Sequence, residues 1–176
     1  LLKEGIKIKQ QNASLITFDN GSSIRVDTSM RSGTLQFLHI SEFGKICAKY
    51  PDKADEVITG TLPALAPTGV GFIESTAEGR QGHFYRMCQK SEADRHSNRK
   101  LSPLDWKFHF HSWYDEKEYR VDPRLVVVTP EDTEYFEGLE QILQVQIGPD
   151  RRAWYVSQRD ILGDDMMHQE FPSTPE

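Results

Sequence analysis

Two apolar segments of this chain are each followed by a helical pattern, and this order most narrows the folds available to it. The first segment is LQFLHI, residues 35–40, and a helix with a period of 3.6 residues begins at Pro51 and is disturbed at Pro63. The second is VGFIEST, residues 70–76, and a helix follows it over about 81–93. The order strand, helix, strand, helix predicts a parallel βαβ arrangement. Such sheets carry their functional residues at the carboxyl ends of the strands.

The segment 35–40 is apolar on both faces apart from Gln36 and His39, which predicts a central strand with a neighbour on each side. Before it, Ser14 to Asp27 predicts a β-hairpin that turns at Asp19-Asn20-Gly21.

After the second helix, the alternation in LDWKFHFHSWY, residues 104–114, predicts another strand with His109 and His111 on one face. Thr129-Pro130 and Pro149 then begin two helices, the second ending near Gly163. We expect these two helices to form a small antiparallel annex to the sheet.

The composition excludes several classes of protein. A chain of 176 residues with 37% hydrophobic content can build one ordinary core and a smaller appendage. Its net charge of −6 gives no basic footprint, so any contact with nucleic acid is local or is made by chain outside these residues. No apolar run approaches the ~18 residues of a membrane span. Cys47 and Cys88 lack C-x-x-C spacing and are expected to pack in the core of an intracellular protein.

Polar side chains close both predicted strands. Glu42 follows the first strand, with Gly44 two residues later, and Ser75 and Thr76 close the second. A carboxylate at a strand end can orient and deprotonate a water for attack on a γ-phosphate, and hydroxyls on the neighbouring strand can sense that phosphate. Each motif alone has a simpler explanation, because strands commonly end in Glu where a loop begins and Ser-Thr commonly caps a helix.

Together the motifs resemble the large terminase subunits of tailed bacteriophages, the ATP-driven motors that pack DNA into capsids. In that family a Walker B strand ends in an acidic pair, and a coupling motif of Ser-Thr-Ala or Ser-Thr-Pro type follows one βα unit later. LHISEFG and IESTAEG, followed by GHFY, have this layout. The resemblance continues through KFHFHSWY, TPEDTEYF and the terminal QEFPSTPE, which resembles the junction between ATPase and nuclease domains. It covers most of the chain from about Ser14.

The resemblance assigns roles to particular residues. Glu42 would be the catalytic glutamate that polarises water. Ser41 stands where the family usually has Asp and would contact Mg²⁺ through a water, with no charge of its own. Ser75, Thr76 and Ala77 would contact the nucleotide and couple its hydrolysis to movement. Arg31, in the loop before the first strand, could approach phosphate or DNA, although an ordinary surface arginine is the simpler interpretation.

The implied fold is α/β: a partial P-loop NTPase sheet of the ASCE type with flanking helices, followed by a small helical linker subdomain. Residues 1–100 would be the second half of the ATPase domain, and residues 101–176 the linker leading toward a nuclease domain. The chain begins without Met and ends in a proline-rich turn, so we expect an internal fragment of a longer protein. No G-x-x-x-x-G-K-[ST] loop occurs in these residues, so the fragment alone should bind nucleotide poorly and be inactive.

The full-length protein would hydrolyse ATP with Mg²⁺, cut DNA, and bind double-stranded DNA, a portal protein and a small terminase subunit. It would act as a homo-oligomeric ring in the cytoplasm of the bacterial host, without contacting a membrane.

Two other functions fit the same residues. A helicase-like motor shares the acidic strand end and the Ser/Thr segment, and a second motor domain after residue 176 would distinguish it. A non-catalytic module that binds a portal or small subunit through the two helices would have no Gly-Lys-Ser/Thr loop upstream. Zinc binding by His109 and His111 is disfavoured because no further ligand stands at suitable spacing. The three tryptophans are expected to pack in the core rather than stack on bases.

Overall fold

The computed structural model describes residues 5–28 and 33–175 as an α/β protein with helices and a parallel two-stranded sheet. Two compact units are present, Leu1–Leu38 with Asp52–Gly71, and His39–Pro51 with Phe72–Glu176. The predicted boundary at residue 100 therefore lies inside the second unit. The assignment of 1–100 to half of an ATPase domain stays a prediction.

The strands and helices are as follows in chain order. The strands are β1 (Ile8–Gln11), β2 (Leu15–Phe18), β3 (Ser23–Arg25), β4 (Leu35–Ile40) and β5 (Leu65–Ile73). The α-helices are α1 (Phe43–Lys49), α2 (Pro51–Glu56), α3 (Gly82–His96), α4 (Pro130–Leu143), α5 (Pro149–Leu162) and α6 (Asp164–Glu170).

The first unit contains an antiparallel sheet in the order β1-β2-β3. Leu15 pairs with Arg25 and Thr17 pairs with Ser23, which confirms the predicted hairpin. Its turn is closed by Asn20, whose side-chain oxygen accepts hydrogen bonds from the amide and the hydroxyl of Ser22 at 3.0 and 2.7 Å. The sequence analysis did not identify β1, because its four residues, IKQQ, are exposed and mostly polar.

The helix predicted from Pro51 continues almost to β5 but changes its geometry. After α2, residues Val57–Thr61 form a π-helical turn and Leu62–Ala64 a 3₁₀ turn. Pro63 has no N–H and its ring clashes with the carbonyl four residues earlier, so a regular α-helix cannot pass through this position. The disturbance predicted at Pro63 is confirmed.

Strands β4 and β5 form the two-stranded sheet, and both run in the same direction. The prediction that β4 is a central strand is wrong, because within residues 5–28 and 33–175 it has one strand partner. Only Leu38 and Ile40 of β4 are buried, whereas Phe37 is 62% exposed. Apolar, β-prone residues favour a strand at the centre or at the edge of a sheet, so the sequence alone did not distinguish the two positions.

In the second unit, helix α1 directly follows the turn after β4 and packs against α3. The rings of Phe43 and Phe84 meet edge to face, with their centroids 6.3 Å apart. At the start of α3, a Cβ on Gly82 would lie 2.8 Å from the Cβ of Cys47, and Gly82 has a φ of +81°. Only glycine satisfies both conditions. The Cys47 sulfur lies at this contact and accepts a hydrogen bond from the Phe84 amide at 3.4 Å.

Both cysteines are free thiols. Cys47 is buried, in agreement with the expected packing role, and Cys88 is half-buried. Burial, together with the negative charge of Glu92, raises the pKa of Cys88 to about 11. The Cys88 thiol is therefore protonated, and unreactive as a nucleophile, at neutral pH.

The strand predicted over 104–114 is wrong. Leu104 and Asp105 lie in a turn and a bend, residues 106–112 have no regular secondary structure and no strand partner in the described residues, and Trp113–Asp115 form a 3₁₀ turn. The predicted alternation is still visible, since Trp106, Phe108 and Phe110 are half-buried. His109 and His111 are exposed with their rings stacked 6.5 Å apart, so they share a side as predicted.

An aromatic cluster forms the core of the helical part of the second unit. Trp113, Phe136, Trp154 and Tyr155 are buried in it, so Trp113 and Trp154 are core residues as predicted. The ring of Tyr119 stacks on that of Trp154 with centroids 4.1 Å apart. Both predicted helix starts are confirmed at Pro130 and Pro149, while α6 was not predicted because its seven residues are too few to show a period.

Candidate functional site

The ends of β4 and β5 lie side by side. The Glu74 amide donates a hydrogen bond to the Ile40 carbonyl at 3.0 Å, and the Phe43 amide donates one to the Glu74 carbonyl at 3.1 Å. These two bonds bracket the turn formed by Ser41 and Glu42. The structure thus brings the predicted acidic strand end next to the predicted hydroxyl pair, Ser75 and Thr76.

Glu42 has an unusual backbone conformation. Its φ of 57° and ψ of 37° lie in the left-handed region, which side-chain-bearing residues rarely adopt. It is the N-cap of α1, and its carbonyl accepts a hydrogen bond from the Ile46 amide at 3.0 Å. Its side chain makes no capping hydrogen bond and the residue is exposed. Glycine would adopt this backbone conformation without a steric penalty, whereas a residue with a side chain costs about 1 kcal/mol here.

The hydroxyl of Ser75 is buried and has no hydrogen-bond partner among the residues that the structure describes. An unsatisfied buried hydroxyl costs on the order of 1–3 kcal/mol. Unsatisfied polar groups and backbone strain both concentrate at functional positions. Ser75 and Glu42 show one such feature each on adjoining strand ends.

Gly44 permits the close approach of these two strand ends. A Cβ at this position would lie 2.7 Å from the Ser75 hydroxyl oxygen and 3.1 Å from the Thr76 carbonyl oxygen. From sequence, a glycine here is expected to let the backbone turn away. The structure shows that Gly44 is buried in α1 and makes room for the Ser75-Thr76 segment instead.

A His–Glu contact beside this site, which is an ion pair when the imidazole is protonated, was not predicted from sequence. The His39 imidazole and the Glu74 carboxylate are 3.3 Å apart, and both side chains are 52% exposed. His39 lies on β4 and Glu74 directly follows β5. The contact could have been predicted from sequence, because the two strands were expected to pair in parallel and each carries one of these residues near its end.

Beyond the hydroxyl pair, the segment contacts helix α6. The Ala77 amide donates a hydrogen bond to the Gln169 carbonyl at 3.4 Å. The Gln169 side-chain amide in turn donates to a Glu78 carboxylate oxygen at 3.2 Å. Sequence reasoning did not identify this connection, because α6 itself was not predicted.

The side chains at this site restrict the ligands that the site could bind. One carboxylate and three hydroxyls can hydrogen-bond to water or to a metal-bound water, but Mg²⁺ needs further oxygen ligands such as those of phosphate. Within residues 5–28 and 33–175 no three His, Cys, Asp or Glu side chains are grouped as metal ligands. The assignment of Ser41 to a metal-bound water stays a prediction. Arg31 lies outside the described residues.

Comparison of the chain with models of protein families, with curated proteins and with solved structures finds no match. Among the helices of the described residues, none combines the length and the apolar character needed to cross a membrane. The site is therefore defined by its geometry. An exposed carboxylate in a left-handed turn and a buried hydroxyl with no hydrogen-bond partner in residues 5–28 and 33–175 follow two adjoining parallel strands.

Proposed function

We propose that this chain is part of the ATP-hydrolysing motor of a phage terminase large subunit, which translocates viral DNA into the procapsid. The proposal is supported by the sequence resemblance and by one structural observation. The turn that carries Glu42 is hydrogen-bonded to Glu74, and Gly44 packs against Ser75, so the ends of β4 and β5 adjoin. An α/β fold with a parallel strand pair is compatible with a partial P-loop sheet.

In this proposal Glu42 acts on water. Its exposed carboxylate accepts a hydrogen bond from a water molecule and orients it for in-line attack on the γ-phosphate of ATP. The triphosphate and Mg²⁺ would be held mainly by a P-loop elsewhere in the longer protein, and Mg²⁺ would neutralise charge on the phosphate oxygens.

The Ser75 hydroxyl is the sensor in this mechanism. It has no hydrogen-bond partner among the described residues, so it has a hydrogen bond to donate. Because the hydroxyl is buried against Gly44, a phosphate oxygen reaches it only when the contact between α1 and this segment opens. The same segment continues to Ala77, whose amide is bonded to α6, so a change at Ser75 would be passed to the helical part of this unit.

The test is Glu42→Gln in the longer protein that contains this chain. The amide has the same size but cannot take up the proton, so we expect the rate of ATP hydrolysis to fall by at least about 100-fold while ATP affinity changes little. Hydrolysis is measured by phosphate release and affinity by nucleotide fluorescence.

Glu74→Gln is the matched control, because it removes an equal charge from the neighbouring strand end. It should retain most of the hydrolysis activity. Normal turnover in Glu42→Gln, or an equal loss in both variants, would remove Glu42 from the mechanism and with it the proposed function.

A further inference from the structure

A shallow depression lies along one face of α4, away from the strand ends. It has a volume of about 410 Å³ and is lined by Glu131, Glu134, Tyr135, Gly138, Leu139 and Ile142. Residues spaced by three and four positions share one face of a helix. Ile142 is 77% exposed at one end, so this apolar face, defined here as the α4 face, is partly uncovered.

Gly138 lies at the middle of the α4 face, and neither its backbone nor its surroundings require glycine. Its φ is not positive, and a Cβ added there would meet no atom of the described residues within 4 Å. A glycine inside a helix destabilises it by roughly 0.5–1 kcal/mol relative to alanine. The missing side chain leaves a gap between the flanking Tyr135 and Ile142, into which a side chain from another molecule can fit.

The charge on α4 is entirely negative. The helix contains five acidic residues and no Lys or Arg. Asp132 pairs with Arg159 at 2.6 Å and Glu140 pairs with Arg152 at 3.0 Å. Glu131 and Glu134, which border the depression, have no cationic partner in residues 5–28 and 33–175, and neither does Glu137 on the adjacent exposed surface.

We propose that the α4 face binds an amphipathic helix of a partner protein that has an apolar ridge flanked by Lys and Arg. An apolar side chain of that ridge would occupy the gap at Gly138 and contact Tyr135, Leu139 and Ile142. The flanking cations would face Glu131 and Glu134, which supplies the charge complementarity. A second copy of this chain is a poorer occupant because it would place like charges opposite each other. This inference does not depend on the proposed ATPase role.

The test uses a synthetic peptide of about 18 residues made of Leu and Lys, with Leu on one helical face, and a scrambled peptide of the same composition. Affinity for the chain is measured by fluorescence anisotropy of the labelled peptide. We expect the amphipathic peptide to bind with a Kd below about 100 μM and at least about tenfold more tightly than the scrambled one.

Two variants test whether the peptide binds at the α4 face, and a third is their control. Gly138→Leu fills the gap and should weaken binding by about tenfold or more. Glu131→Gln combined with Glu134→Gln should weaken binding and reduce its dependence on salt. Glu137→Gln removes one equal charge from the same helix outside the depression and should change affinity by less than about twofold.

Gly138→Ala tests whether weaker binding could result from a loss of folding. It should raise the thermal midpoint of the chain, measured by circular dichroism, while still weakening peptide binding, because the methyl group occupies part of the gap. Equal binding of the two peptides, or unchanged affinity in folded Gly138→Leu, would overturn the proposal. A dimer in sedimentation experiments that Gly138→Leu dissociates would assign the face to a second copy and would also overturn it.

Discussion

At the scale of single residues, positive φ values mark positions where a residue with a side chain incurs a steric penalty that glycine would not incur. Among the described non-glycine residues these are Glu42, Asn98 and Gln144. Asn tolerates this conformation, and Gln144 ends α4 as its C-cap, where glycine is the usual residue. Glu42 has nearly the same φ as Gln144 but lies at the candidate site, so the two form a natural comparison.

We predict that Glu42→Gly stabilises the chain and, under the proposed function, abolishes the proposed ATP hydrolysis. Glycine adopts the left-handed conformation without a steric penalty, so the free energy of unfolding should rise by about 1 kcal/mol. Gln144→Gly should stabilise the chain similarly, with no loss of hydrolysis. Urea unfolding gives the first quantity and phosphate release the second. A lower unfolding free energy for Glu42→Gly alone would show that the Glu42 side chain supports the fold.

The sequence was sufficient to predict where Glu42 and Ser75 lie, but not the conformation of Glu42 or the burial of Ser75. An apolar strand followed by an acid is a local pattern, and the neighbour of a strand follows from the βαβ order. The left-handed turn and the contact between Gly44 and Ser75 depend on how closely α1 approaches the end of β5. That distance is set by packing between segments far apart in sequence.

At the scale of elements, helix α4 begins with a complete capping box formed by Thr129 and Asp132. Thr129 accepts a hydrogen bond from the Asp132 amide, and the Asp132 carboxylate accepts one from the Thr129 amide at 2.9 Å. Desolvation pushes the pKa of Asp132 upward, but the Arg159 guanidinium and the amide and hydroxyl of Thr129 together hold it below its ordinary value. The start of this helix at Thr129-Pro130 was predicted from sequence, whereas the ion pair between Asp132 and Arg159 of α5 was not.

We predict that Asp132→Asn lowers the free energy of unfolding at pH 7 by about 1–3 kcal/mol, because it leaves the Arg159 charge without its closest partner. A carboxyl with a lowered folded-state pKa stabilises the fold above its unfolded value of about 3.9, and this contribution is lost as the pH falls through the folded-state pKa. The difference between wild type and variant should therefore shrink below about pH 4. Urea unfolding between pH 7 and pH 2.5 measures it.

Glu137→Gln, an exposed carboxylate on the same helix, is the control and should change stability by less than about 0.5 kcal/mol at each pH. A difference between wild type and Asp132→Asn that stays constant down to pH 2.5 would contradict the assignment of a lowered pKa to Asp132.

The strand expected over 104–114 shows the limit of prediction for elements. Alternating apolar and polar residues specify a surface with two faces, and that prediction is confirmed by the half-buried Phe108 and the exposed His109. A strand also needs a partner for its backbone hydrogen bonds. Residues 106–112 have no such partner in the part of the chain that the structure describes. Instead, the guanidinium carbon of Arg95 on α3 lies over the ring of Phe108, 5.5 Å from the ring centroid.

At the scale of the whole molecule, each compact unit combines segments that are separate in the sequence. Residues 39–51 and 72–176 belong to one unit, and the intervening residues 52–71, which include most of β5, belong to the other. Helix periods and strand alternation are local signals, so they predict elements without predicting how the elements are grouped. Within the second unit, Ser173 joins several parts of the aromatic cluster.

We predict that Ser173→Ala destabilises the chain by about 1–3 kcal/mol, because the Trp113 N–H loses its acceptor and the Tyr135 hydroxyl keeps only its longer contact, with the Tyr155 hydroxyl at 3.4 Å. The Trp113 indole N–H donates to the Ser173 hydroxyl at 2.9 Å, and the Tyr135 hydroxyl lies 2.9 Å from it. Thr174→Ala is the control and should be nearly neutral. Thermal unfolding followed by tryptophan fluorescence measures the effect, and equal midpoints for the two variants would contradict it.

Helix α6 is attached to its surroundings near its C-terminal end. The Gln169 carbonyl accepts a hydrogen bond from the Ala77 amide, and two residues later the ring of Phe171 packs edge to face against Trp154 of the aromatic cluster. Because these two attachments are two residues apart, a shift of the Ala77 backbone would be passed to Phe171 through a short stretch of chain. The stack of Tyr119 and Trp154, which Phe171 meets edge to face, would then report the movement as a change in tryptophan fluorescence.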